Sequence, residues 1–166
     1  MGASLSPDHG DPVVGFREWV LLDDELLSPL ARTPWGAETM QAECLARCRR
    51  AAGLWRSASP HPGPAPDPRC VCGLYAFAHP YAQRDHGRLT VVRGAVALWG
   101  RVEVHERGMR AEFARVLALA LPGGRRPEAA VRRVAERLEV PAVAAKHLPA
   151  AALAHGQALP SSLIPT

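Results

Sequence analysis

The chain has 166 residues, 48% of them hydrophobic, with 20 basic and 16 acidic side chains and a formal net charge of +4. That is enough apolar material for one ordinary core and too little chain for two comfortable domains. No window approaches the ~18 to 20 consecutive apolar residues that span a bilayer, and the start MGASLSPDHGDP lacks the basic and apolar regions of a secretory signal, so a cytoplasmic protein with no membrane segment is expected.

All but one of the basic residues are arginine, a bias that a GC-rich genome produces by itself, so their placement carries more than their number. Residues 1 to 43 hold eight Asp/Glu against two Arg, whereas residues 44 to 166 hold eighteen basic groups against eight acidic ones. Such an asymmetry marks either a surface for an anionic partner, nucleic acid or an acidic protein surface, or two parts that neutralise each other across the fold. Nothing in the composition sets the oligomeric state.

Residues 1–12 are Ser/Pro/Asp/Gly-rich with nothing to bury and read as a disordered N-terminus; a single domain is expected over 13–148. VVGFREWVLLDDELLSPL places Asp23 and Asp24 between two apolar runs, the pattern of a hairpin with a polar tip. ThrProTrpGly at 33–36 reads as a turn, and Thr39 as the cap of a short helix containing Met40 and Leu45, with Cys44 and Cys48 four apart on one face. From Ala51 to Arg69 the chain reads as a long loop, because SASPHPGPAPDPRC has five prolines in fourteen residues. CVCGLYAF resumes as a strand.

The stretch from Val92 to Leu121 is the expected centre of the fold. GAVALWG reads as a buried strand that continues into RVEVHE, with a turn at Arg107 to Met109. RAEFARVLALAL then puts Ala111, Phe113, Leu117, Leu119 and Leu121 on one parity, which predicts a second strand, although its Ala/Leu/Arg composition suits a helix equally well. After the ProGlyGly break at 122–124, Pro127 to Leu138 reads as a helix with Val131, Val134, Ala135 and Leu138 on one stripe. Residues 149–166 read as a flexible tail. The expected architecture is α+β: a small, mostly antiparallel bent sheet or partly open barrel, PUA-like or SH3-like, with one C-terminal helix.

Two groups of residues carry chemistry. Cys44, Cys48, Cys70 and Cys72 give C-x3-C-x21-C-x-C, with His61 in the proline loop. Thiolates and a neutral imidazole suit tetrahedral zinc, and a closed set of four would be a structural ion that ties down the loop; Cys44, His61, Cys70 and Cys72 are the first choice, with Cys48 replacing one of them in a four-cysteine version. The spacing departs from the usual C-x2-C pairs, so reduced buried cysteines, a disulfide and a reactive thiol stay open as readings.

The sequence also resembles a family of small bacterial proteins of actinobacterial type. The resemblance rests on HPGPAPDPRCVCGLYA, which carries a Cys-x-Cys-Gly-x-Tyr-Ala element, and on GAVALWGRVEVHERGMRAEFA, which carries Trp-Gly-x-Val-x-x-His-Glu-x-Gly-x-Arg-Ala-Glu. It covers roughly residues 27–143, with His61, Cys70, Cys72, Trp99, His105, Glu106, Arg110 and Glu112 at the matching positions. It departs in HisProGlyPro where the family has HisAlaPro. The family implies no particular activity.

The second group is the polar cluster His105, Glu106, Arg107, Arg110 and Glu112 at the expected hairpin bend. As a site, His105 beside Glu106 could act as a base, Arg110 could clamp an anion, and Cys70 or Cys72 could be a nucleophile in a small Cys/His-dependent enzyme. As structure, Arg110 and Glu112 form an ion-paired ladder with Arg101 or Glu103 across the hairpin while His105 caps the turn. Trp99 could line a pocket or fill the core. Arg126, Arg133 and Arg137 form a row on the helix that suits phosphate contacts or simple solvation. No phosphate-binding loop, GxGxxG, HExxH or GxSxG is present. The leading expectation is a non-catalytic binding module for nucleic acid or another anionic partner, with the thiol enzyme and a protein–protein adaptor as alternatives.

Overall fold

The computed structural model describes residues 4–5, 12–29, 31–44, 49–51, 54–56, 61–80 and 89–165, with backbone only for 4–5, 49–51 and 54–56. Its strands, in chain order, are β1 (Ser4–Leu5), β2 (Val13–Leu22), β3 (Glu25–Leu27), β4 (Pro34–Trp35), β5 (Met40–Gln41), β6 (Arg49–Ala51), β7 (Leu54–Arg56), β8 (Leu74–Phe77), β9 (Thr90–His105), β10 (Gly108–Leu121), β11 (Ala142–Ala144) and β12 (Gln157–Ala158). Two helices complete it, α1 (Arg125–Arg137) and α2 (Leu148–Leu153). The fold is therefore α+β and dominated by its sheet.

The long hairpin β9–β10 is its spine. β2 runs antiparallel along the other edge of β9 from Thr90 to Leu98, and β8 runs antiparallel along β10 from Gly108 to Ala111. A single pairing, Phe16 with Phe77, joins β8 back to β2, so β2, β9, β10 and β8 make a ring held at one point. β11 adds in parallel to β10 after the α1 crossover, and β12 adds in parallel to the start of β2. The sheet is thus mixed rather than wholly antiparallel.

Both faces of this sheet are covered, which explains why GAVALWG is apolar without alternation. On one face Trp19, Val92, Val96, Val104, Met109 and Leu119 pack with Val131, Val134 and Leu138 of α1; on the other Val14, Phe16, Ala95, Ala97 and Leu117 pack with Leu148 and Ala152 of α2. The single parity expected for β10 breaks twice, at register shifts between Ala111 and Phe113 and between Val116 and Ala118. The core residues of the first face are accordingly Ala111, Ala114, Val116 and Leu119, because each extra residue turns the following side chains to the other face.

At the first shift Gly100 takes φ +74, a conformation that costs glycine little, and the Glu112 carboxylate accepts the Arg101 backbone N–H at 3.2 Å. Asp23 and Asp24 do form the β2–β3 turn, with φ values of 50 and 60, the sign that a tight two-residue hairpin needs at both positions. The α1 helix covers most of the span expected for it.

Several local expectations are corrected. Pro34–Trp35 is an edge strand, not a turn, because Trp35 is buried edge-to-face against Trp19. Met40–Gln41 pairs with β10 instead of entering a helix, since the free edge of β10 accepts it and Ala42 donates its N–H to the Glu112 carbonyl. Leu54–Arg56 pairs with Arg49–Ala51 inside the stretch expected as loop. Apart from these corrections, Ser4–Leu5 pairs with β9, and α2 and β12 lie from Leu148 onward.

Gly108 begins β10 where β8 crosses it. A Cβ placed there would lie 2.2 Å from the Ala76 carbonyl oxygen and 2.8 Å from the Phe77 Cα, so backbone would have to move. Gly108→Ala is expected to cost about 1–3 kcal/mol and to loosen β8; an unchanged denaturant midpoint would show that the two strands are not in fact this close.

Candidate metal centre

The proline loop ends in a turn that delivers the cysteines. Asp67 and Pro68 sit where a β-turn favours them: the Cys70 N–H donates to the Asp67 carbonyl at 2.9 Å, and the Asp67 carboxylate accepts the Arg69 N–H at 2.8 Å. That bond, the Arg69 guanidinium and His61 hold the Asp67 carboxyl below its usual pKa. Beyond the turn, the Cys70 and Cys72 sulfurs come to one centre while Val71 between them is 54% exposed. A C-x-C spacing can therefore serve one centre. Gly73 follows with φ +128, pressed against Arg110.

Cys44 and His61 meet them there. One donor atom from each of Cys44, His61, Cys70 and Cys72 lies within 4.8 Å of every other. The Cys44 and Cys70 sulfurs are 3.7 Å apart, far beyond a disulfide bond of about 2.05 Å. Around a zinc ion, donors at about 2.0–2.3 Å are separated by roughly 3.3–3.8 Å, so the spacing and the sulfur-rich donor set are both compatible with zinc. His61 turns Nε2 into the cluster, 3.1 Å from the Cys72 sulfur, and its Nδ1 is buried without a hydrogen-bond partner. Cys48, the alternative ligand, lies outside the described residues. Burial and the neighbouring thiols push the Cys72 thiol up to about 11, against a hydrogen bond from the Asp67 backbone.

The centre is clamped to the hairpin by one side chain. Arg110 on β10 is 4% exposed, and all five of its N–H donors are used. Nε and Nη2 donate to the Glu103 carboxylate across the hairpin, Nε at 2.9 Å; Nη1 donates to the carbonyls of Cys70 and Cys72, the latter at 2.8 Å; Nη2 also reaches the Asp67 carbonyl at 3.1 Å. Burial opposes its charge, but Glu103 and Tyr75 outweigh that and raise its pKa further. Arg101 adds a contact to the Pro66 carbonyl at 3.4 Å. The two sequence motifs therefore meet in one place: the second grips the backbone of the first.

The remaining expected site residues sort by this geometry. Arg110 has no donor left to clamp an anion, since the loop carbonyls and Glu103 take all five. Glu112 serves the bulge, and Trp99 stacks on Phe113 with centroids 6.0 Å apart. Arg133 is engaged by both oxygens of Asp24, each at 2.9 Å, and Arg137 reaches the Asp24 carbonyl, so two of the helix arginines hold the β2–β3 turn.

His105 and Glu106 are at the exposed hairpin tip. His105 stands 4.0 Å from the Glu103 carboxylate; burial and the charge of Arg110 lower its pKa, so it is neutral at neutral pH. The histidine beside the thiols is His61, and the raised Cys72 pKa is the reverse of what an activated nucleophile shows. Arg110 pairs with Glu103 across the hairpin, as the ladder reading expected; the sequence reading missed the parts played by Asp67 and Tyr75. The Asp-Pro turn signal could have found Asp67, while Tyr75 depends on strand register.

Fold and site define a small α+β sheet domain carrying a Cys3His cluster able to hold a metal ion. No protein-family model, no curated protein and no solved structure matches the chain. Among the described residues no helix is long and apolar enough to cross a membrane.

Proposed function

We propose that this protein is a non-catalytic binding module in which Cys44, His61, Cys70 and Cys72 hold a structural zinc ion, and in which the adjoining hairpin tip meets an anionic partner, nucleic acid in preference to an acidic protein surface. The observation that carries the reading is the convergence of four donors within 4.8 Å on loops that Arg110 fastens to the sheet. Four protein ligands fill a tetrahedral ion and leave no position for substrate, which is the mark of a structural rather than a catalytic zinc. Thiolate ligation suits a reducing compartment, in keeping with a cytoplasmic protein. The anionic partner is supported by the net charge of +4 and by the exposed Arg107 at the tip.

The test is elemental analysis of protein purified without chelator or affinity metal, with thiols counted before and after unfolding. One zinc per chain with thiols protected only in the folded state is expected; metal-free protein with freely reacting thiols would defeat the zinc reading. The partner reading is tested separately by the salt dependence of binding to a labelled polyanion.

Zinc affinity should also depend steeply on pH. Cys72, with a pKa of about 11 before metal binds, must surrender a proton to coordinate. That proton alone lowers affinity about tenfold for each pH unit lost below neutrality. Competition against a zinc-binding dye at stepped pH measures the slope, and a flat profile would remove Cys72 from the ligand set.

A further inference from the structure

Beside the metal centre, on the outer face of β8 and β10, lies an open groove lined by Val71, Tyr75, Phe77, His105, Arg107 and Arg110 among others. Its sequence origin is the alternation along β8: Leu74 and Ala76 pack towards the first core cluster, and Tyr75 and Phe77 therefore face out. Tyr75 is 44% exposed although it is aromatic, and Val71 beside it is 54% exposed. These two account for two of the five large hydrophobic side chains exposed among the described residues, and they adjoin each other. An aromatic ring with one face open beside an apolar neighbour is a surface on which a flat ligand can stack.

Tyr75 is held by its hydroxyl, which donates to the Val71 carbonyl at 2.7 Å, and by its place opposite Arg110 in the sheet. Its ring is thus set before any ligand arrives. Opposite Phe77 stands Gly108, which adds no side chain, and the Arg107 guanidinium lies 6.0 Å from the Phe77 ring centroid. Phe77 thereby stations a cation at the rim. The lining residues include two arginines and a histidine and no carboxylate. Arg110 has spent its donors and its charge is balanced by Glu103; Arg107 is the group placed to donate to a ligand oxygen.

From this juxtaposition we infer that the groove binds single-stranded nucleic acid, with an unpaired base stacked on Tyr75 against Val71 and an adjacent phosphate met by Arg107. The inference rests on the anionic-partner reading above and specifies its ligand and place. A preset aromatic face beside a cation is how sequence-tolerant single-strand binders work: the base supplies a π-face, the backbone supplies charge, and a duplex hides the faces the groove would stack. An acidic peptide offers the charge without the ring.

The experiment uses the full chain with its zinc and a fluorescein-labelled single strand of about twelve nucleotides, followed by anisotropy. Three competitors are compared: an abasic strand with the same number of phosphates, the duplex of the same sequence, and a glutamate peptide of equal charge. The intact single strand is expected to bind about tenfold or more tighter than any of them. Tyr75→Ala, compared with the parent at equal zinc content, should erase that preference while binding to the abasic strand persists, and Tyr75→Phe should keep it, because stacking needs the ring and not the hydroxyl. Arg107→Ala should weaken intact and abasic strands alike and lower the salt slope by about one. Equal affinity for intact and abasic strands overturns the inference while leaving a polyanion binder in place. So does a glutamate peptide that binds as tightly as the strand, or a Tyr75→Ala protein that keeps its preference. No binding to any polyanion at low salt overturns both readings together.

Discussion

Arg110→Met is expected to be among the most damaging single substitutions in this chain, lowering stability by about 3–5 kcal/mol and zinc affinity by about ten- to a hundredfold. Its side chain is buried, and removing it strands the Glu103 carboxylate, 6% exposed and already with one oxygen unpartnered, takes the guanidinium donor from the Cys70 and Cys72 carbonyls, and leaves the Asp67 carbonyl with the Cys70 N–H. The first loss falls on the sheet and the second on the metal loop, so two readouts should move together: the denaturant midpoint and the competition constant for zinc. Arg110→Lys should rescue little, because an ammonium has three donors and no planar fork to serve Glu103 and three carbonyls at once. Arg110→Met with Glu103→Leu should recover part of the stability but not the zinc affinity, since an apolar pair removes the stranded charge without restoring the grip on the loop. A single variant as stable as the parent would mean the guanidinium is solvated rather than buried.

Cys72→Ser should abolish stoichiometric zinc binding and, like a strong chelator, lower the unfolding midpoint without dissolving the sheet. The reason lies in where the apolar contacts are. Two core clusters built on β2, β9, β10, α1 and α2 do not include the ligands, whereas the loop rests on a small cluster of Ala42, Ala65 and Cys72. An ion held a thousandfold above its dissociation constant adds about 4 kcal/mol, all of it lost with the metal. Limited proteolysis should then cut near residues 61–72 while the hairpin persists. A variant that keeps one zinc per chain and its original cleavage pattern would refute the assignment of Cys72.

Much of the frame can be read from the residues in order. The hairpin of β9 and β10, the Asp23–Asp24 turn and the α1 helix each announce themselves through a local pattern: an apolar run, a polar pair between two such runs, a stripe with a Gly-Gly break before it. The four metal donors could be nominated because few side-chain types bind zinc and the chain has few cysteines. The edge pieces were not legible. Trp35 and Met40 sit in segments whose propensity says turn and helix, and they became strands because β3 and β10 offered unpaired edges and the core had room for an indole. The parity of β10 failed for a similar reason: a bulge placed by Gly100 and sealed by Glu112 has no period of its own.

The sequence by itself determined which residues could do chemistry here, since donor type is a property of the side chain: sulfur and imidazole for a metal, guanidinium for carbonyls and anions, an aromatic ring for stacking. Which of them do it together was decided only by the tertiary structure. Cys44 and Cys70 are separated by 25 residues and their sulfurs by 3.7 Å; Arg110 looked like a ligand clamp in the chain and in space spends every donor on the loop beside it. Strand register sets those distances, and it is fixed by bulges and edge pairings that depend on the packing of the whole sheet.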